Sequence, residues 1–271
     1  IMEEWKQKQK ARKWSAEHYD GFVRLGNLMI QRKMKRYNFF RHFIVIINTF
    51  SDDSGLSGQH FDKWIDVNDN NQFDAVWMAG FQNKRAAQRV KDDLMVTTAV
   101  IDDGHTRIGI ISADTIGLMR KFVLSVREDV PSEWGLDYIM VHATHNHEGP
   151  DTQGLWGPSF LKSGVDDAYM EQLKRDFIST LKMAIDNLEP AEMSLALIPT
   201  NLLTPIKDKR KPIVIDDDIR AILFNRPDGS IIGSLVNFGI HVELAWDKNL
   251  ELTADVAGYL RRGISEGIYY N

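Results

Sequence analysis

The chain has 271 residues, 43% of them apolar and 26% charged, with a formal net charge of −5 and no cysteine. That length supports a full hydrophobic core without disulfide or metal staples. The missing cysteine excludes thiolate metal sites, thiol nucleophiles and disulfides, so any transition metal must be held by His, Asp, Glu or Tyr.

The charge is unevenly spread. Residues 1–45 carry 11 Lys and Arg against 4 Asp and Glu, and the remainder is acidic. An acidic body argues against nucleic acid as a partner. Residues 1–50 read as a basic leader, poorly packed, able to touch anionic surfaces or to act in targeting. Within it the basic stretch Arg32-Lys33-Met34-Lys35-Arg36 precedes the apolar run Phe43–Ile47. That order fits a secretory signal starting at Met34, hence a secreted or periplasmic protein; the alternative is a buried strand. No stretch approaches the roughly 20 apolar residues of a membrane span.

Residues 51–271 read as the folded domain. It opens on a loop rich in Asp, Asn, Ser and Gly over 51–75. There Asp66, Asn68, Asn70 and Asp74 place oxygen ligands at the spacing of a calcium loop, with Asn71 at the usual glycine position. Trp77 stands where the closing carboxylate belongs. The competing reading is a plain Asx-rich turn. Strands follow at Val96–Ile101 and Arg107–Ile111, around the turn Asp102-Asp103-Gly104. Apolar residues at helical spacing predict a helix over Thr115–Arg127. Tyr138–Val141 is a short strand, and Asp166–Leu188 a long amphipathic helix stopped by Pro190. Met193–Ile198, Arg220–Phe224 and Ile231–Phe238 read as strands, the last two joined as a hairpin by Arg226-Pro227-Asp228-Gly229. Asp255–Gly267 is a final helix. Irregular alternation with a hairpin predicts an α/β layered domain with mixed β-sheets flanked by helices.

The chemistry concentrates after the strand 138–141, in His142-Ala143-Thr144-His145-Asn146-His147-Glu148-Gly149-Pro150-Asp151. If the strand persists, its period of two puts His145 and His147 on one face and His142 on the other. Two such imidazoles can share a zinc ion, or one can bind metal while the other handles protons. His241 also ends an apolar strand, so two adjacent strands would deliver His145 and His241 to one metal. Asp255 is either a helix cap or a partner that orients a ligand imidazole. Arg210, in Lys209-Arg210-Lys211-Pro212, is the most plausible cation near the site; its alternative is a solvated basic loop. No phosphate-binding glycine loop, GxSxG elbow or dinucleotide fingerprint is present.

Four blocks together resemble the neutral/alkaline, non-lysosomal ceramidase family, in the amino-terminal part of its catalytic domain. They are Asp74–Phe81, Ile111–Leu118, Ala143–Thr152, and Asn237–His241 followed by Thr253-Ala254-Asp255. The resemblance implies zinc-dependent hydrolysis of the N-acyl amide of ceramide or a related lipid amide, with peripheral membrane contact and a place in sphingolipid metabolism. It implies His145 and His241 as zinc ligands, His147 as a group contacting substrate at the reacting centre, and Arg210 as an active-site cation. It also implies that a glutamate and a tyrosine ligand come from sequence beyond residue 271, so that the domain would be incomplete at its C-terminus. The 271 residues alone should then bind zinc weakly and hydrolyse amides poorly. Glu148 stands where ceramide-cleaving members carry a small residue, which implies a different substrate. In mechanism, a neutral His147 imidazole would donate to the developing oxyanion. The alternatives are another HxH metallohydrolase and an inactive homologue serving as a calcium-stabilised binding module.

Overall fold

The structure is a computed structural model that describes residues 75–199, 208, 211–216 and 218–266, together with the backbone of 43–49. Its strands are β1 (Phe43–Thr49), β2 (Arg89–Val90), β3 (Val96–Asp102), β4 (Arg107–Ala113), β5 (Tyr138–Ala143), β6 (Pro190–Pro199), β7 (Asp218–Asn225), β8 (Ile231–Asn237) and β9 (Glu251–Leu252). Its helices are α1 (Arg120–Asp129), α2 (Asp167–Asp186) and α3 (Asp255–Glu266). The expected α/β layered domain with mixed sheets is what forms.

Seven strands run in the order β5-β4-β3-β1-β6-β7-β8, and β2 pairs with β9 separately. Only β4–β5 is parallel within the large sheet. The apolar run of 43–49 is strand β1, in the middle of that order, paired over six residues with β3. It is a strand of the sheet, the second of the two readings its sequence allows. Among the described residues, no helix is long and apolar enough to cross a membrane.

β1 meets β6 through two residue pairs only, Phe43 with Ala191 and Ile44 with Pro190. The strands beyond this junction fold back over the first half. β3 shows both sides of the resulting stack. Val96 and Val100 face the helices and join Ile111, Ala113, Ile139, Val126, Leu173, Phe177, Leu181 and Ala184 in the main core. Ala99 and Ile101, at the intervening positions, pack on Met193, Ile222, Phe224 and Leu235 of β6–β8. Alternation along one strand thus serves two cores. Helix α2 buries Leu173, Phe177, Thr180, Leu181 and Ala184, a stripe at helical spacing. Asp166 caps it, accepting from the Ala168 and Tyr169 backbone N–H groups.

The first helix starts later than its apolar pattern suggests. Residues 115–119 are non-helical because Asp114 and Thr115 are committed elsewhere. The Asp114 backbone N–H donates to Met95, and its carboxylate accepts from Met95 N–H, Thr144 Oγ1 and Arg261 of α3. Propensity yields to these tertiary bonds.

Candidate metal centre

The candidate centre is built where the segments following β5 and β8 meet. These strands are the two outermost of the seven, so adjacent strands do not deliver the histidines. Two separate devices do. The first is the folding back of the sheet. The second is a short parallel bridge between Asn146 and Val242, with the His147 N–H donating to Val242 O at 3.0 Å. A bridge of 146 with 242 sets His145 beside His241 and His147 beside Glu243.

Strand β5 ends at Ala143, before His145 and His147. His145 lies in the left-handed region at φ 63°, an uncommon conformation for a non-glycine residue. The strand alternation expected for His145 and His147 is therefore not what aligns them. His142, still in β5, is exposed and takes no part.

The three imidazoles converge on one point. His145 Nε2 is 2.9 Å from His241 Nε2 and 3.3 Å from His147 Nε2. One potential ligand atom from each of the three lies within 4.8 Å of the others. Zinc–nitrogen bonds of about 2.0–2.1 Å at tetrahedral angles hold ligand nitrogens about 3.3 Å apart. His145 Nδ1 is 2.8 Å from the Ile116 carbonyl. Only a ring N–H can bond there, so Nε2 is left with its lone pair toward His241 and His147. The donor set, all imidazole, suits zinc or another late transition metal. The residues present therefore fit a metal ion.

His147 is buried, whereas His145 and His241 are exposed. Burial is the main force holding its pKa down, to about 4, and the neighbouring imidazoles of His145 and His241 push the same way. It is thus neutral near pH 7, as a ligand or proton acceptor must be. Phe81 meets its ring edge-on, with centroids 5.1 Å apart. Phe81 also packs at a tilt against Trp246 and carries Trp156, whose indole N–H donates to Phe81 O.

Glu148 does not face this centre. It is fully buried, and its carboxylate accepts from Arg85 Nη2 at 2.6 Å and from Asn249 Nδ2 at 2.8 Å. Burial pushes it up to about 7 against the pull of those donors. Arg85 is the hub beneath the site, with Nη1 donating to the Ala79 and His147 carbonyls and Nη2 also to Asn249 O. Asp255 does not touch the His241 ring. Its buried carboxylate accepts from Ala245 N–H and so steadies the loop that carries His241. Burial raises its pKa, opposed by backbone N–H groups including Ala245.

Asp66, Asn68, Asn70, Asp74 and Arg210 lie outside the described residues. Arg85, Gly80 and Glu243 were not singled out by sequence reasoning. Arg85 sits in a polar stretch, Asn83-Lys84-Arg85, that reads as solvated. The signal for Glu243 is present in retrospect: His145-x-His147 and His241-x-Glu243 share one spacing, and the bridge sets them in register.

No family model matches the chain, and no curated protein matches it. Among solved structures it is similar to neutral ceramidase from Pseudomonas aeruginosa, with a TM-score of 0.55 at 15% identity. The match covers 79% of this chain and 34% of that one. The chain thus has a neutral ceramidase-like fold and spans about a third of that enzyme's length.

Proposed function

We propose that the chain forms the histidine-bearing part of a zinc-dependent amidohydrolase that cleaves the N-acyl amide of ceramide or a related lipid amide. The observation that carries this reading is the meeting of His145, His147 and His241 Nε2 atoms from segments 96 residues apart. The fold it shares with a ceramidase supports the reaction class.

In this reading His145 and His241 hold the metal and His147 works beside them. Bound zinc supplies an acidified water and a polarised carbonyl. The chain's own residues contribute order. Ile116 O sets the His145 tautomer, and the Asn146–Val242 bridge fixes the spacing of the two segments. Phe81 and Trp246 form an apolar wall beside His147. The loop anchored on that wall through Trp156 carries Phe160 and Leu161, 83% and 81% exposed, an apolar surface suited to a lipid substrate.

The test is release of a labelled acyl chain from ceramide by the protein with zinc restored after chelation. Slow, zinc-dependent release is expected, lost in His145→Ala. Release that is equal in His145→Ala, or independent of zinc, would reject the reading.

A further inference from the structure

His147 Nδ1 is buried without a hydrogen-bond partner within ordinary distance. The atoms around it restrict what it can carry. Glu243 Oε2 is 3.6 Å away, on the side of the ring opposite the other imidazoles. The Gly80 backbone also lies against that side, close enough that a Cβ there would come within 2.6 Å of Nδ1. Arg85 approaches from below, but its guanidinium is committed to the His147 carbonyl, Ala79, Glu148 and Asn249. His145 and His241 face the other nitrogen, Nε2. Thus the Gly80 backbone carbonyl, which draws a proton onto the ring, and the Glu243 carboxylate attend Nδ1, and two imidazoles attend Nε2.

A neutral imidazole has one proton to place. With that proton on Nε2, the Nδ1 lone pair would face the Glu243 carboxylate, lone pair against negative charge. With it on Nδ1, a charge-assisted N–H···O⁻ contact forms with a small closing motion, and Nε2 presents its lone pair to the shared centre. We infer that Glu243 is a positioning residue that holds His147 as the Nδ1–H tautomer, turning the Nε2 lone pair toward His145 and His241. His147 then accepts at the centre. It does not donate to an oxyanion as a neutral imidazole, the role its sequence position suggested. The parallel bridge makes the arrangement possible, since it sets residues 147 and 243 side by side as it sets 145 and 241.

The inference rests on the histidine cluster being the working centre, but its test does not pass through hydrolysis. Long-range nitrogen–proton NMR of the protein labelled with ¹⁵N-histidine distinguishes the two tautomers, with the His147 signals assigned by their loss in His147→Gln. The expected result is an Nδ1–H pattern for His147 in the wild type, with and without zinc. Glu243→Ala should shift His147 toward Nε2–H, and Glu243→Gln, whose amide oxygen can still accept, should restore Nδ1–H. In turnover, Glu243→Ala should lower kcat with KM little changed. An Nε2–H pattern in the wild type, or an unchanged tautomer in Glu243→Ala, would overturn the assignment. Absence of acyl release with the Nδ1–H pattern intact would instead count against the hydrolase reading alone.

Discussion

Replacing Arg85 with methionine is expected to lower stability by about 3–5 kcal/mol, the cost of leaving a buried carboxylate without its cation. Arg85 is 1% exposed and Glu148 is fully buried. The guanidinium joins the Ala79, His147 and Asn249 carbonyls to that carboxylate, so three chain segments lose a common anchor at once. The loss should also depend on pH. Burial raises the Glu148 carboxyl from the ordinary 4.5 to about 7. The folded state therefore holds an extra proton between those values, and stability falls as pH rises through that window. Removing the guanidinium, which pulls the carboxyl down, extends the window upward. Urea unfolding should show the variant still losing stability above about pH 8, where this contribution has largely levelled off in the wild type. A penalty below about 1 kcal/mol, the size of an exposed ion pair, would contradict the buried hub.

The second large effect is expected at Gly80. Its φ is 101°, and an added Cβ would lie 2.5 Å from His147 Cγ and 2.6 Å from Cβ and Nδ1. Gly80→Ala therefore combines backbone strain of about 1–3 kcal/mol with a core overlap of about 1–3 kcal/mol. Gly104 separates the two. It has φ 84° with nothing within 4 Å of its would-be Cβ, so Gly104→Ala carries backbone strain without a clash. The difference between the two variants' unfolding free energies reads the contact with His147. Zinc affinity should fall in Gly80→Ala and stay unchanged in Gly104→Ala. Equal behaviour of the two would mean that the Gly80 backbone does not press on the imidazole.

How far the sequence foretells this arrangement depends on the distance over which each feature is determined. Strands such as Val96–Asp102 and the α2 helix are legible because one period of apolar residues sets each of them. The histidine pair after β5 is legible because an apolar strand running into His145-x-His147 is a local pattern. The way His145 and His241 meet is not local. It needs a sheet folded back at the two-pair β1–β6 junction, and a left-handed turn at His145 that no residue type announces. Arg85 is illegible for the same reason. Its burial comes from carbonyls at positions 79, 147 and 249, which converge only in the folded chain. The helix predicted from Thr115 fails where Asp114 and Thr115 turn to tertiary partners, and the two-residue β2–β9 pair is too short for any periodicity to show.

The central claim is that His145 and His241 grip one ion. Equilibrium titration of the metal-free protein with zinc, with bound metal counted by elemental analysis, tests it most directly. One zinc per chain is expected, unaffected by replacing the exposed His105 or His142 with alanine. His145→Ala and His241→Ala should each weaken binding beyond the roughly 10–100-fold that follows loss of an outer partner. Zinc held equally well by those two variants, or no zinc held by the wild type, would contradict the claim.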